Sequence, residues 1–162
     1  MGFSTHQPSL LFGYFLIVNL MRTAMWVKRC TLSMAFAGTL TALCGVVQYL
    51  TKSFSFGGAW LDMTYFSDIS GRADALFDNP NVLASYLVLV FPFSLGLFAR
   101  AQTKKERFIY GFSIFTILLC SILTWSRGAW LGILIGFLIF SLMHSKKTIR
   151  YLFLVILFLP FL

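Results

Sequence analysis

The segment CTLSMAFAGTLTALCGVVQYL, residues 30–50, decides the fold, because its 21 residues carry no charge and are mostly apolar. As an α-helix it would be about 31 Å long at roughly 1.5 Å per residue, which matches a hydrocarbon core of about 30 Å. We therefore predict a transmembrane helix here. Small residues recur along it at four-residue intervals, at Ser33, Ala37, Thr41 and Gly45. This stripe predicts a face on which a second helix packs closely.

The composition of the chain extends this interpretation to the flanking sequence. Hydrophobic residues make up 59% of the 162 residues and charged residues 11%, whereas a soluble domain has about 25% charged residues. Further apolar runs occupy 10–27, 82–99 and 108–143, and a short one begins at Tyr151. The run at 108–143 would measure about 54 Å as one helix, so we predict two spans that turn at Ser126-Arg127-Gly128. We expect an all-α fold, a polytopic transmembrane helix bundle of about five to six spans in one membrane-embedded domain, residues 1–162.

Lysine and arginine residues cluster in the short links between these runs, at Lys28-Arg29, 100–107 and 146–150. Short loops rich in Lys and Arg face the cytoplasm, so we predict that the 51–80 loop and the turn at 126–128 are extracytoplasmic. The same clusters account for the net charge of +8. We therefore expect a lipid bilayer, and no nucleic acid, as the partner of this chain.

Two arginines stand apart from those clusters, Arg72 in the 51–80 loop and Arg127 at the predicted turn. The simpler interpretation is that each anchors a span end or pairs with Asp74 or Asp78, because arginine is common near interfaces. The alternative is anion binding, because a guanidinium matches phosphate oxygens in a bidentate way that lysine does not reproduce. Two such groups on one membrane face could hold a diphosphate. The other cation on that face, Lys52, sits at a span end as an anchor should.

The turn Asp78-Asn79-Pro80-Asn81 precedes the predicted span at 82–99. Asn81 is a good candidate for the N-cap of that helix, with Pro80 fixing the direction of the chain. A helix N-terminus also favours anions, so contact of Asp78 or Asn81 with a substrate is the alternative. Ser126, beside Arg127, is a further candidate for substrate contact.

Aromatic and sulfur side chains have simple structural interpretations. Trp60, Trp125 and Trp130 would lie at the outer interface as an aromatic belt, with a platform for a sugar as the alternative. Three cysteines, Cys30, Cys44 and Cys120, lie in apolar runs without CxxC spacing, and we expect them to be packing residues rather than metal ligands.

The motifs around the two arginines resemble the central part of the O-antigen ligase and polymerase family of bacterial membrane proteins. RADALFDNPNVLASYLVLVFP, from Arg72 to Pro92, matches the family's arginine followed by a Pro-Asn-x-x-Ala helix start. LLCSILTWSRGAWLGILIG, from Leu118 to Gly136, matches its Thr-x-Ser-Arg-Gly-Ala motif two spans later. The motif region, 72–136, differs from the family pattern in having Ala73, Ala75 and Leu76 where a glycine is often found.

This resemblance implies a metal-independent glycosyltransferase in the inner membrane of a bacterial cell, without a cofactor. Such proteins transfer a glycan from undecaprenyl diphosphate to an acceptor glycan, lipid or protein during synthesis of cell-surface polysaccharide. Arg72 and Arg127 would then be the catalytic residues that bind the diphosphate. The family has more spans and a later outer loop with a catalytic partner, so we expect this chain to be part of a longer protein.

Two other functions are compatible with the same sequence. A transporter or flippase for a lipid-linked or anionic solute would normally carry ionisable residues near the membrane midplane, and the secure spans show none. A membrane scaffold without catalytic activity would use both arginines as anchors only.

Overall fold

The computed structural model describes residues 14–15, 18–19, 22–52, 71–77 and 79–144. Across these ranges the secondary structure is helical, without strands, which confirms the all-α class. The principal helices are α1 (Ala24–Thr51), α2 (Pro80–Ala99), α3 (Lys104–Leu123) and α4 (Arg127–His144). Three of them, α1 to α3, are long and apolar enough to cross a membrane, and Arg127–Met143 of α4 forms a shorter apolar helix.

The predicted count of about five to six spans is not confirmed. Eight of the 18 residues of the predicted first span at 10–27 lie outside the described residues. So do most of the 51–80 loop with Trp60 and the apolar run from Tyr151. At 108–143 the split into two helices is confirmed, although the break falls at 124–126 and α4 already begins at Arg127.

The start of α1 corrects the predicted boundary between the first two spans. Lys28 and Arg29 lie within the first two turns of α1 rather than in a link between helices. The helix has 28 residues, about 42 Å at 1.5 Å per residue, so it is about 12 Å longer than a hydrocarbon core. Its first turns can therefore extend beyond the apolar layer, where cations are tolerated. The Arg29 guanidinium stacks there on the Trp26 ring, 5.2 Å from its centroid.

The start of α2 corrects the predicted cap. Asn79 is the N-cap, because its Oδ1 accepts a hydrogen bond from the backbone N–H of Asn81 at 2.8 Å. Pro80 occupies the first helical position, where a missing N–H costs nothing. Asn81 is therefore already inside the helix, and the prediction that it caps α2 was wrong. The start of α3 has a capping box formed by Thr103 and Glu106.

The helices form a bundle in which α2 packs against α1, α3 and α4, and α1 also packs against α3. The buried small residues of α1 are Ala35, Gly38, Ala42 and Gly45. The predicted stripe was therefore wrong except at Gly45, since Ser33 and Ala37 are exposed and Thr41 is half-buried. A strict four-residue interval drifts by about 40° per step on a helix of 3.6 residues per turn, so such a stripe leaves the contact face within three steps.

On α4, the predicted packing face at Gly128, Gly132 and Gly136 is confirmed in part. A Cβ on Gly132 would lie 2.9 Å from Val88 Cγ1 of α2, and one on Gly136 would lie 3.9 Å from Pro92 Cγ. Gly128 meets nothing within 4 Å. Among these three glycines, close contact with α2 therefore begins at Gly132, and Gly128 faces open space.

The described basic residues separate into two groups at opposite ends of the bundle. One end, which we call the basic end, is formed by the start of α1 and the link between α2 and α3; it carries Arg22, Lys28, Arg29, Arg100, Lys104, Lys105 and Arg107. The other, which we call the motif end, carries Lys52, Arg72 and Arg127. This separation agrees in pattern with the sidedness predicted from the sequence.

Candidate functional site

A groove at the motif end is lined by both Arg72 and Arg127 and has a volume of about 720 Å³. We call it the arginine groove. It lies between α3 and α4, which both pack on α2 and scarcely touch each other. Its remaining walls are formed by Leu118, Ser121, Ile122, Trp125, Trp130, Leu131, Ile133 and Leu134.

The break between α3 and α4 places Arg127 at the mouth of the arginine groove. Trp125 adopts a left-handed backbone conformation with φ of 55°, which is strained for a bulky residue and costs about 1–2 kcal/mol. This conformation reverses the chain, and the Ser126 carbonyl then accepts hydrogen bonds from the N–H groups of Ala129 at 3.0 Å and Trp130 at 3.3 Å. Arg127 becomes the first residue of α4, and its side chain is exposed.

Trp130 links α3 and α4, the two helices that border the groove, through a hydrogen bond. Its indole Nε1–H donates to the carbonyl of Ser121 in the last turn of α3, at 3.2 Å. The Thr124 hydroxyl donates to the same carbonyl at 2.8 Å. Trp125 instead has no such bond within the described residues, and its side chain is 60% exposed. The two tryptophans therefore differ: one holds the wall of the groove and the other presents a free ring at its mouth.

Arg72 reaches the same groove because the segment that follows it is fixed on two sides. The Ala73 N–H donates to the Leu123 carbonyl at the end of α3, at 3.1 Å. Gln48, near the end of α1, accepts hydrogen bonds at Oε1 from the N–H groups of Asp74 at 3.2 Å and Ala75 at 2.8 Å. Its Nε2 donates to Asp74 Oδ1. Gln48 and Asp74 are both buried.

Asp74 consequently has an amide partner in Gln48, and within the described residues it forms no ion pair with an arginine. Among the residues that the structure describes, the guanidinium groups of Arg72 and Arg127 form neither hydrogen bonds nor ion pairs. The pairing of an arginine with Asp74, which the simpler interpretation allowed, is therefore not what the geometry shows. Asp78, the other partner considered, lies outside the described residues.

The remaining predicted site residues are placed differently from one another. Ser126 directly precedes Arg127 and is half-buried, and its hydroxyl has no hydrogen bond in the described ranges. Asn81 is exposed in the first turn of α2 and is not among the residues that line the arginine groove. The structure thus brings Arg72 and Arg127 to one groove, with Ser126 adjacent in sequence and Asn81 apart.

Sequence reasoning missed Gln48, which positions the whole 72–77 segment. A signal was present, because Gln48 is the one side-chain amide in residues 30–50. Burying an amide in an apolar environment is costly unless it is hydrogen-bonded, so a glutamine in a predicted span indicates a specific partner. The identity of that partner, the backbone of residues 74–75, requires the tertiary structure.

The chemistry of the arginine groove changes with depth. Two cations and an exposed indole lie at its mouth, and its walls become aliphatic along α4. Leu134 lies seven residues beyond Arg127, which is about 10 Å along the helix axis. The groove therefore suits an amphipathic anion with a charged head and an apolar tail.

Comparisons of the chain with protein-family models, with curated proteins and with solved structures give no match.

Proposed function

We propose that the arginine groove binds the diphosphate of a polyprenyl-linked glycan and that the protein takes part in transferring this glycan to an acceptor during synthesis of cell-surface polysaccharide. The observation that carries the proposal is that Arg72 and Arg127, from two separate motifs, line one groove without a protein partner in the described residues. Guanidinium groups without partners at a groove mouth favour a ligand with several anionic oxygens.

The shape of the groove supports a lipid-linked ligand over a free anion. Apolar residues of α3 and α4 continue the walls below the two arginines. Because the two helices scarcely touch, the groove is open between them, and a prenyl chain could leave it sideways into a bilayer. A soluble phosphate compound would gain nothing from such walls, whereas each buried methylene of a prenyl chain contributes about 0.8 kcal/mol.

In this proposal the arginines act on the leaving group. The acceptor hydroxyl oxygen bonds to the anomeric carbon of the donor sugar as the bond from that carbon to the diphosphate oxygen breaks. Negative charge then builds up on the departing diphosphate, and two fixed guanidinium groups stabilise it. Among the described residues no carboxylate or imidazole lines the groove, so in this proposal the acceptor hydroxyl passes its proton to the catalytic partner that the resembled family carries in a later outer loop. The described residues are therefore assigned to donor binding and to stabilisation of the leaving group.

Two further observations agree with this assignment. The residues that hold the groove, Ala73 and the 124–130 segment, belong to the two motifs that resemble the O-antigen ligase and polymerase family. A transporter or flippase is disfavoured, because the charged side chains of α1 to α4 lie in the first two turns of their helices and not at mid-span.

The experiment compares Arg72→Lys and Arg127→Lys in membranes that contain the protein and are supplied with undecaprenyl-diphosphate-linked glycan. Lysine keeps the charge but loses the bidentate fork. We expect each variant to lower the rate of glycan transfer about 100-fold, the effect of removing one donor to a developing anion. The matched control is Lys52→Gln, which removes a cation at the same end that does not line the groove. Unchanged transfer in both arginine variants would indicate a scaffold or an anchor and would overturn the proposal.

A further inference from the structure

A second groove of about 720 Å³ lies at the basic end, on the opposite side of the bundle from the arginine groove. We call it the basic-end groove. It is bordered by the start of α1, the last two turns of α2 and the start of α3. Two cations line it, Lys28 of α1 and Arg100 at the end of α2.

The charges around the basic-end groove favour an anion. Within the described residues neither Lys28 nor Arg100 forms an ion pair, although the charge of Lys28 interacts with that of Glu106. One carboxylate, that of Glu106, also lines the groove, but it accepts hydrogen bonds from the N–H groups of Gln102 at 2.9 Å and Thr103 at 3.2 Å. It is thus already bound at the N-terminus of α3, where the helix dipole stabilises it.

The surrounding basic residues strengthen the preference of the basic-end groove for an anion. Arg107 is held over the Phe98 ring, 5.6 Å from its centroid, and Lys104 and Lys105 are exposed beside it. Because a cluster of four to eight cations at a membrane surface attracts anionic lipid, the field around the groove favours a negatively charged headgroup over a zwitterionic one.

The deeper wall of the basic-end groove is apolar. Phe93 and Leu97 of α2 line it together with Pro92, within about two turns of Arg100. Gly96 lies between them, and a Cβ placed there would meet no atom within 4 Å. The missing side chain leaves open space beside the aliphatic wall, on helices long enough to cross a membrane. An acyl chain needs such a channel below a cationic headgroup site.

We propose that the basic-end groove binds one anionic phospholipid from the leaflet at that end of the bundle. Its phosphodiester lies at Lys28 and Arg100, and an acyl chain follows Leu97 and Phe93. The lipid would join the starts of α1 and α3 to the end of α2. This site is separate from the arginine groove, so it stands whether or not that groove binds a prenyl diphosphate.

The test is native mass spectrometry of the purified full chain mixed with phosphatidylglycerol or with phosphatidylcholine of the same acyl chains. We expect the wild-type protein to retain one phosphatidylglycerol at least tenfold more strongly than phosphatidylcholine. The double variant Lys28→Gln/Arg100→Gln should lose this preference. The matched control, Lys104→Gln/Lys105→Gln, removes the same charge from residues outside the groove and should keep most of this preference.

Three results would overturn the proposal. Equal retention of both lipids by the wild-type protein shows that no anionic site exists. Equal loss of phosphatidylglycerol in the control shows a diffuse surface charge in place of a site. Full retention by the groove variant shows that the lipid sits elsewhere. If the double variant fails to fold, Arg100→Gln alone gives the same comparison, because Arg100 is exposed and lies beyond the last turn of α2.

Discussion

Gln48 joins the end of α1 to the segment that carries Arg72, and it does so through both of its amide atoms. Oε1 accepts from two backbone N–H groups and Nε2 donates to the Asp74 carboxylate. Burying a carboxylate costs desolvation free energy, and without such a donor much less of that cost would be offset by hydrogen bonding. The position of Arg72 in the arginine groove therefore depends on a residue that has no contact with the groove itself.

We predict that Gln48→Leu lowers the free energy of unfolding by about 2–4 kcal/mol, because three hydrogen bonds are lost and the buried Asp74 carboxylate keeps no partner. The measurement is denaturant unfolding of the purified protein in detergent. Gln102→Leu is the matched control, since Gln102 is exposed, and should change stability by less than about 0.5 kcal/mol. Equal stability of the two variants would show that the hydrogen bonds of Gln48 to residues 74 and 75 contribute nothing to the stability of the protein.

Single residues also show where sequence reasoning succeeds and where it stops. The two arginines could be singled out from their motifs, and the need for a cap before α2 was evident. The prediction that Asn81 caps α2 was wrong because Pro80 is best accommodated at the first helical position, which makes Asn79 the cap. Ala75 adopts a φ of 51°, a left-handed conformation that favours glycine, and nothing in the sequence around it predicts this.

The contact between α1 and α2 depends on the missing side chain of Gly38. A Cβ there would overlap Val90, whose own Cβ lies 3.1 Å away and does not move when the side chain rotates. Nearby, hydroxyl groups join three helices: Ser113 Oγ of α3 lies 2.6 Å from Thr39 Oγ1 of α1 and 3.1 Å from Ser94 Oγ of α2. Separating the helices would stretch this network as well.

We predict that Gly38→Ala destabilises the protein by about 1–3 kcal/mol, because α1 and α2 must move apart. Gly128→Ala is the matched control: its Cβ meets nothing within 4 Å, so we expect no loss and a gain of up to about 1 kcal/mol from reduced backbone entropy in the unfolded chain. Thermal unfolding in detergent measures both. If the two substitutions have the same effect, the close approach at Gly38 is not what holds the two helices together.

At the level of helices, the sequence predicted the existence of α2, α3 and α4 and the break between the last two. It did not predict which face of α1 is buried. Two small-residue stripes overlap in residues 33–45, and a four-residue spacing alone does not choose between them. Val90 approaches Gly38, and Cys120 approaches Gly45. These contacts decide which face of α1 is buried, and neither of them can be predicted from residue spacing alone.

The bundle as a whole places two grooves of similar volume at opposite ends. Charge patterning in the sequence was enough to assign Arg72 and Arg127 to one end and the Lys28-Arg29 pair to the other. The grooves themselves could not be predicted, because they depend on how the helices pack: α4 packs against α2 and scarcely touches α3 at the arginine groove, whereas α1, α2 and α3 border the basic-end groove. That arrangement joins the two arginine motifs into one candidate site.

The central claim is that Arg72 and Arg127 hold one diphosphate together, and the most direct measurement is the affinity of the purified protein for undecaprenyl diphosphate relative to undecaprenyl monophosphate. We predict that the wild-type protein prefers the diphosphate. Arg72→Lys and Arg127→Lys should each reduce this preference about tenfold, which is about 1.4 kcal/mol, while Lys52→Gln leaves it unchanged. Equal affinity of the wild-type protein for the two lipids, or an unchanged preference in both arginine variants, would contradict the claim.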